Sequence, residues 1–313
     1  MEIILVTGGA GFIGSHLVNR YSASAKVVVV DNLSTGRIEN IKPSKNVVFI
    51  EGDIGNLDLL NQVFKKFTFT YIFHLAAVAS VTESIENLWS THLINQGATV
   101  MLLEQVRKKN CKLKRFVFSS SAAVYGNSAL PVQTEADGVQ PLSPYALDKY
   151  ASEQFTLMYH QYYGVKTTAV RFFNVYGQNQ NPASPYSGVV SLINDGLKNK
   201  LESESFEFIK YGDGEQTRDF VYIRDVIQAL VLVAKEEKAI GEVYNIGSGK
   251  KTSLNELLAI YESASKDTIN IQVKSARKGD ITNSLADISK IKKLGYRSLY
   301  PITTGVAHYW NLK

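Results

Sequence analysis

The chain has a single cysteine, Cys111, among 313 residues. No intrachain disulfide can form, and a reducing, cytoplasmic setting is expected. The five histidines, His16, His74, His92, His160 and His308, follow no ligand spacing, which argues against a zinc centre. No apolar run is long enough to span a bilayer. Glycines and a strand pattern stand where a secretory leader would need its apolar segment, so neither a leader nor a membrane partner is expected. Clustered positive charge is missing as well. The net charge is +5, from 34 Lys and Arg against 29 Asp and Glu. The cations are dispersed apart from short runs such as Arg107-Lys-Lys109, so no nucleic-acid footprint is expected and the surplus only mildly favours anionic substrates. Internal repeats and low-complexity linkers are also absent. The remaining composition, 45% apolar and 20% charged, suits one large domain or two small, closely packed ones.

The richest stretch comes first. Ile3 to Val6 is an apolar run that reads as a strand buried on both faces. Gly8, Gly11 and Gly14 then punctuate a turn into a segment of helical spacing, Phe12, Ile13, Leu17, Val18 and Tyr21. Glycines suit a tight turn whose backbone approaches a pyrophosphate, with the helix N-terminus presenting free N–H groups to that anion. A second apolar run, Val27 to Val30, ends in Asp31. An acid at that strand end can bind both ribose hydroxyls of an adenosine and would repel a 2′-phosphate, which favours NAD over NADP.

Further along, Asn32-Leu-Ser-Thr-Gly36 is a polar loop placed to continue around the ribose, with Asn32, Ser34, Thr35 and Gly36 as candidate contacts. Val47 to Ile50 predicts a third strand, ending in Gly52-Asp53-Ile54; Asp53 could reach the adenine amino group or cap the helix that follows. Tyr71 to Leu75 predicts a fourth strand, and Ala76-Ala77 lets the backbone lie close to the cofactor. One long helical stretch is expected over Ser80 to Lys109, then a fifth strand over Arg115 to Phe118, running into Ser119-Ser-Ser121. Tyr145-Ala-Leu-Asp-Lys149 opens a helix reaching about Tyr163; phenol and ammonium, four residues apart, share one face. A sixth strand follows over Lys166 to Arg171. This alternation predicts an α/β fold, a Rossmann-type doubly wound parallel sheet, with ligands beyond the carboxyl ends of its strands.

From Phe172 the pattern changes. The polar loop Gln178 to Pro185 reads as a lid, and shorter elements fill the tail from Gly249. The helix near Ile223 and the strand Val243 to Ile246 look like a return to the sheet. The expected division is a dinucleotide-binding domain, 1–171 plus about 221–247, and a smaller C-terminal α/β substrate-binding domain, about 172–220 plus 248–313.

In combination, Thr7-Gly-Gly-Ala-Gly-Phe-Ile-Gly-Ser-His16, Asp31-Asn-Leu-Ser-Thr-Gly36, the serine-rich strand end, Tyr145-xxx-Lys149, Arg171-Phe-Phe-Asn-Val-Tyr-Gly177, Gly212-Asp-Gly-Glu-Gln-Thr-Arg-Asp-Phe220 and Tyr244-Asn-Ile-Gly-Ser-Gly249 resemble the extended short-chain dehydrogenase/reductases, specifically the NAD-dependent UDP-sugar 4-epimerases. The resemblance implies a tightly held NAD, a UDP-sugar substrate and a homodimer. It places Gly8, Gly11, Phe12, Ile13, Gly14, Ile54, Leu75, Asn95, Ser119 and Phe172 around the cofactor. Ser121, Tyr145 and Lys149 become the catalytic set. On the substrate side it places Ala79, Ser80, Asn174, Gly188, Val189, Tyr211, Arg218, Arg277, Asp280 and Ser284; the two arginines match diphosphate-binding positions, and their forked guanidinium suits phosphate oxygens.

The implied base must be ionised. At an ordinary pKa near 10 only about one Tyr145 in a thousand would be a phenolate at neutral pH. Lys149 and a positive nicotinamide are expected to lower that value; a drop of ~3 units corresponds to about 4 kcal/mol. Dehydratases of the family carry an acid pair directly after the catalytic hydroxyl, whereas Ala122 and Ala123 stand here, which leaves elimination without a general acid. Ser284 matches a size-gate position at which Tyr excludes an N-acetyl group, and Ala79 and Gln180-Asn-Pro182 resemble members that prefer N-acetylated sugars. UDP-GlcNAc and UDP-GalNAc are therefore the expected pair, with UDP-Glc and UDP-Gal also accepted. A non-catalytic NAD-sensing regulator on this fold would commonly lack the Tyr or the Lys, and both are present. Gln178-Asn179 and the acidic segment Leu201 to Phe206 depart from the family pattern.

Overall fold

The computed structural model describes residues 1–110, 112–128, 130–181, 188–200, 206–276 and 282–312. Its first half alternates strand and helix: β1 (Ile3–Thr7), α1 (Phe12–Tyr21), β2 (Lys26–Asp31), β3 (Val47–Glu51), α2 (Leu57–Lys66) and β4 (Tyr71–His74). Then come α3 (Val81–Glu86), α4 (Leu88–His92), α5 (Ala98–Lys109), β5 (Arg115–Ser121), α6 (Pro144–Tyr163) and β6 (Thr167–Phe172). The second half holds β7 (Asn174–Tyr176), α7 (Val189–Asn199), β8 (Phe206–Tyr211), β9 (Thr217–Tyr222), α8 (Ile223–Lys235) and β10 (Glu242–Ile246). It closes with β11 (Lys251–Ser253), α9 (Leu254–Ser265), β12 (Ile269–Lys274), α10 (Ser289–Lys292) and α11 (Ile302–Asn311).

Seven strands make one sheet in the order β10-β6-β5-β4-β1-β2-β3, every neighbouring pair parallel. Strand alternation sorts the apolar runs onto two faces. Ile4, Val6, Val27, Val29 and Val117 pack with α1 and α8, through Leu17, Val18, Val226 and Leu230. Leu5, Val28, Val30, Ile72 and Phe116 pack on the opposite face with α2 and α5, through Leu60, Phe64, Leu102 and Val106. The smaller part adds a three-stranded sheet, β11-β9-β7, and a parallel pair, β12-β8.

Two elements differ from the sequence expectation. The single helix expected over Ser80 to Lys109 is broken. Asn87, with φ −125° and ψ 52°, separates α3 from α4, and a π turn over Leu93–Gly97 separates α4 from α5. The π turn widens the helix where Asn95 reaches out to the backbone of Val78, at 2.8 and 3.1 Å. Strand β5 runs three residues past Phe118, because its backbone ladder to β6 continues through Ser121 opposite Phe172 after the apolar run has ended. Among the described residues no helix is long and apolar enough to cross a membrane.

Candidate active site

The main crevice, of about 570 Å³, lies beyond the carboxyl ends of the strands and is centred between β1 and β4, where the order of strands reverses direction. Its floor is the β1–α1 turn. Gly8 has φ +69°, and a Cβ there would sit 2.7 Å from the Ala76 amide nitrogen. At Gly14 a Cβ would strike the Gly8 carbonyl oxygen. The two chain segments therefore meet backbone to backbone, which glycine alone permits. Helix α1 starts at Gly11 with no side-chain cap and no acid in its first turn, leaving N–H groups for an anion.

Asp31 is buried at the end of β2. Its Oδ2 accepts the Ala10 N–H at 2.8 Å and its Oδ1 the Leu33 N–H at 2.8 Å, so both oxygens are oriented before any ligand arrives. Asn32, Ser34, Thr35 and Gly36 line the crevice after it. Asp53 accepts from Asn32 Nδ2 at 2.9 Å and from the Gly55 N–H at 2.7 Å. It does not cap the next helix; Asn56 does, accepting from Asp58 and Leu59. Phe12, Ile13, Ile54, Leu75, Ala76, Ala77, Ser119 and Phe172 also line the crevice. Asn95 does not. Its side chain is spent on Val78, whose segment forms part of the wall.

The catalytic candidates come together. Helix α6 opens with Ser143 accepting the Ala146 N–H at 3.2 Å and Pro144 in the first turn. That start sends Tyr145 and Lys149 into the crevice beside Ser121 at the end of β5. The Tyr145 N–H donates to Ser84 Oγ at 3.1 Å, which ties α6 to α3. Lys149 Nζ donates to the Ser119 carbonyl at 2.8 Å and lies 5.1 Å above the Phe118 ring. Behind them a buried ion pair, Arg171 to Glu153 at 2.6 and 3.0 Å, clamps α6 to β6. Arg171 also donates to the Tyr125 oxygen at 2.9 Å, and Tyr125 donates to Asn245 at 2.6 Å, which brings in β10.

Enclosure in the crevice pushes the Tyr145 phenol above its ordinary value, and the Ser121 hydroxyl pulls it back. The sequence expectation of a lowered phenol rests on Lys149 together with a positive nicotinamide, and Lys149 shares the crevice with Tyr145. Its ammonium is held by the Ser119 carbonyl, and burial brings it down to about 8 against the opposing Asp148 carboxylate. Beneath the same strand ends, His74 bridges Thr7 at 2.7 Å and Thr99 at 3.0 Å; burial, with help from Lys149, drives it down to about 3. It is a neutral core histidine.

Several lining residues were not among the sequence candidates for the cofactor or substrate contacts: Val30, Gly52, Val78, Glu83, Ile94, Ser120, Phe173, Val175 and Asn179 to Asn181. Only the last three carried a signal, their position in the polar loop after β7. That loop is tied to α1: His16 Nε2 lies 2.8 Å from the Gln178 carbonyl, and Asn179 Nδ2 donates to Ser15 Oγ at 3.1 Å. Ser120 Oγ and Gln180 Oε1 are buried in this wall without a hydrogen-bond partner among the described residues. A glycine-walled turn, an uncapped helix start, a fixed carboxylate and two unpartnered polar atoms together fit an adenine dinucleotide.

The substrate-side candidates are more scattered. Ala79 lines the crevice, whereas Ser80 is buried behind it and caps α3, accepting the Glu83 N–H at 2.9 Å. Asn174 is exposed at the start of β7, and Gly188 and Val189 open α7. A Cβ on Gly188 would stand 3.6 Å from Gln180 Nε2, which places that helix start beside the loop. Tyr211 ends β8, its carbonyl accepting from Gln216 at 3.1 Å. Arg218, half-buried on β9, donates to the Thr217 carbonyl at 2.9 Å, and the Ser284 N–H donates to the same carbonyl at 3.2 Å. Ser284 and Arg218 are thus neighbours, but neither lines the crevice that holds Tyr145. Arg277 and Asp280 lie outside the described residues, as do Cys111, Pro182 and Leu201 to Ser205. Among the described residues no three His, Cys, Asp or Glu side chains are placed to hold a metal ion.

Known proteins resemble the chain from end to end. The family model described as GDP-mannose 4,6 dehydratase matches residues 5–309. A putative UDP-glucose 4-epimerase of Methanocaldococcus jannaschii is 37% identical over 312 residues, 99% of this chain and 97% of its own. The solved UDP-N-acetylglucosamine 4-epimerase of Methanobrevibacter ruminantium, in complex with UDP-N-acetylmuramic acid, superposes with a TM-score of 0.91 at 34% identity, covering 99% of this chain and 97% of that one. The Thermus thermophilus UDP-glucose 4-epimerase in complex with NAD gives 0.88 at 32% identity, covering 99% and 98%. With this fold, this crevice and these relatives, the chain belongs to the extended short-chain dehydrogenase/reductases, in their family of NAD-dependent UDP-sugar 4-epimerases.

Proposed function

We propose that the chain inverts C4 of a UDP-hexose with NAD as its held cofactor, that its preferred pair is UDP-GlcNAc and UDP-GalNAc, and that it also accepts UDP-Glc and UDP-Gal. The observation that carries this is the meeting of Ser121, Tyr145 and Lys149 at one end of a crevice fitted to a dinucleotide. When bound, NAD supplies reversible oxidation of the C4 carbinol. The chain itself handles the proton. Tyr145 Oη takes it from the 4-hydroxyl and returns it, Ser121 Oγ holds the shared oxygen, and Lys149 keeps positive charge beside the phenol. The β1–α1 turn and Asp31 orient the cofactor, and Gln180 with its loop screens the crevice from water. Arg218 and Arg277 hold the diphosphate, Asn174 bonds near it, Tyr211 covers the uracil with backbone help from Gly188 and Val189, and Asp280 meets the ribose.

The sugar preference rests on three positions. Ser284 leaves room for an acetamido group, Ala79 is small, and Gln180 brings to the wall a carbonyl oxygen with no hydrogen-bond partner among the described residues. Steady-state kinetics of Ser284→Tyr on both substrate pairs is the test. Loss of the N-acetyl pair with the simple hexoses retained supports the gate, and unchanged N-acetyl turnover removes it. Dehydration is the second reading, favoured by Glu83, a carboxylate in the wall that the sequence reading missed. Product analysis separates the two, since elimination yields a stable 4-keto-6-deoxy sugar and epimerisation an isomer.

The reading extends to assembly in a reducing cytoplasm. Ile85, Leu88 and Trp89, the last 70% exposed, stand with Met158 and Tyr162 on adjoining helices α3, α4 and α6. An apolar face of this kind suits a second copy of the chain. Sedimentation of the wild type and of Trp89→Glu checks it, with a dimer expected only for the former.

A further inference from the structure

A second hollow, of about 740 Å³, lies away from the crevice, between β11, α9 and the start of α11. Nothing in the chemistry above uses it. Lys250, Lys251, Lys292 and Arg297 line it, and among the described residues none of these four side chains has a carboxylate partner or a hydrogen bond. The one acid in its wall, Glu256, is turned to the start of α9, where its Oε2 accepts the Ser253 N–H at 2.7 Å. Asp287, which senses the Lys292 ammonium, is held by the Ser289 N–H at 2.7 Å. Helix α11 begins at the rim with no side-chain cap and no acid in its first turn, so its N–H groups add to the same positive potential. Between the charges the surface is apolar, built from Ile260, Ile288 and Ile302.

The four exposed cations outnumber the two carboxylates near them, each of which already accepts a backbone N–H, so the hollow carries a net positive potential that an entering anion would meet. The volume is that of a small-molecule site. An inorganic ion would leave the apolar surface of Ile260, Ile288 and Ile302 unused. We infer that this hollow binds a small organic phosphate, an anion carried on a hydrophobic body, separately from the catalytic crevice. The site is one strand from the substrate side, since Thr252 in its wall pairs across the sheet with Arg218.

The test is calorimetric titration of the intact, NAD-loaded protein with phenyl phosphate, and with inorganic phosphate in parallel. One site per chain is expected, with phenyl phosphate bound more tightly than the inorganic ion. The double variant Lys250→Glu, Arg297→Glu should weaken phenyl phosphate by about tenfold or more while epimerase turnover stays within about twofold, because neither residue belongs to the catalytic or binding machinery. Should that variant fail to fold, Lys292→Gln alone should weaken binding about threefold, with an unfolding midpoint near wild type. Equal affinity in wild type and variants would locate the ligand in the crevice and overturn the inference. No measurable binding, or inorganic phosphate binding as tightly as phenyl phosphate, would do so too.

Discussion

The crevice and the substrate-side candidates beyond it are positioned by different means. On the sheet side, position is set by the main chain: Gly8 lies against Ala76, two amides grip Asp31, and the Ser119 carbonyl grips Lys149. Most substrate-side candidates stand outside that lining, on strand ends and helix starts, with Asn174 exposed and Arg218 and Ser284 half-buried. The first is held by main-chain contacts before a ligand enters, and the second is carried on more exposed side chains. That division suits a reaction that keeps its cofactor still while the sugar presents first one face and then the other.

If the crevice carries the chemistry, the largest loss must come from it. Tyr145→Phe should cut turnover about a thousandfold with KM little changed; steady-state rates within tenfold of wild type would break the comparison. Next is the clamp behind it. Glu153→Gln leaves the buried Arg171 guanidinium without its counter-charge and should cost about 3–5 kcal/mol in denaturant unfolding, dulling activity only through stability.

Lys149→Met should separate activity from stability. The Lys149 ammonium falls from its ordinary 10.5 to about 8, so the unfolded chain holds a proton that the folded chain has released between those values. Stability therefore rises with pH across that window, and below it the buried charge is a burden. Replacement by Met should gain about 1–3 kcal/mol at pH 7, fading toward pH 10, with activity lost; an equal gain at both pH values would refute the burial account. The smallest effect is expected at the loop after β7. His16→Ala frees the Gln178 carbonyl and should raise KM about two- to fivefold with kcat preserved, measured on either sugar pair.

The sequence disclosed the main-chain contacts of the crevice well, because a backbone that must pass close to another backbone restricts residue type. Gly8, Gly14, Ala76 and Asp31 are visible for that reason. It disclosed the helices after β4 poorly. Apolar spacing ran on through Asn87 and Asn95, and the second break, the π turn, goes with a tertiary bond from Asn95 to Val78 that the sequence does not show. Ser119 to Ser121 hid the true end of β5, since a ladder depends on backbone geometry rather than on side-chain polarity. The sequence placed Tyr145 and Lys149 on one helix face but held no sign that the ammonium would donate to the Ser119 carbonyl. The parallel pairing of β12 with β8 joins segments some sixty residues apart and left no local trace. The contacts expected of Arg218 and Ser284 came from family resemblance, not from any pattern in the chain.

The imidazole wedged under the floor has a practical corollary for kinetics. With its pKa drawn down to about 3 by burial, His74 stays neutral near neutral pH. A bend in the rate–pH curve near neutrality must then be traced to a group other than this imidazole.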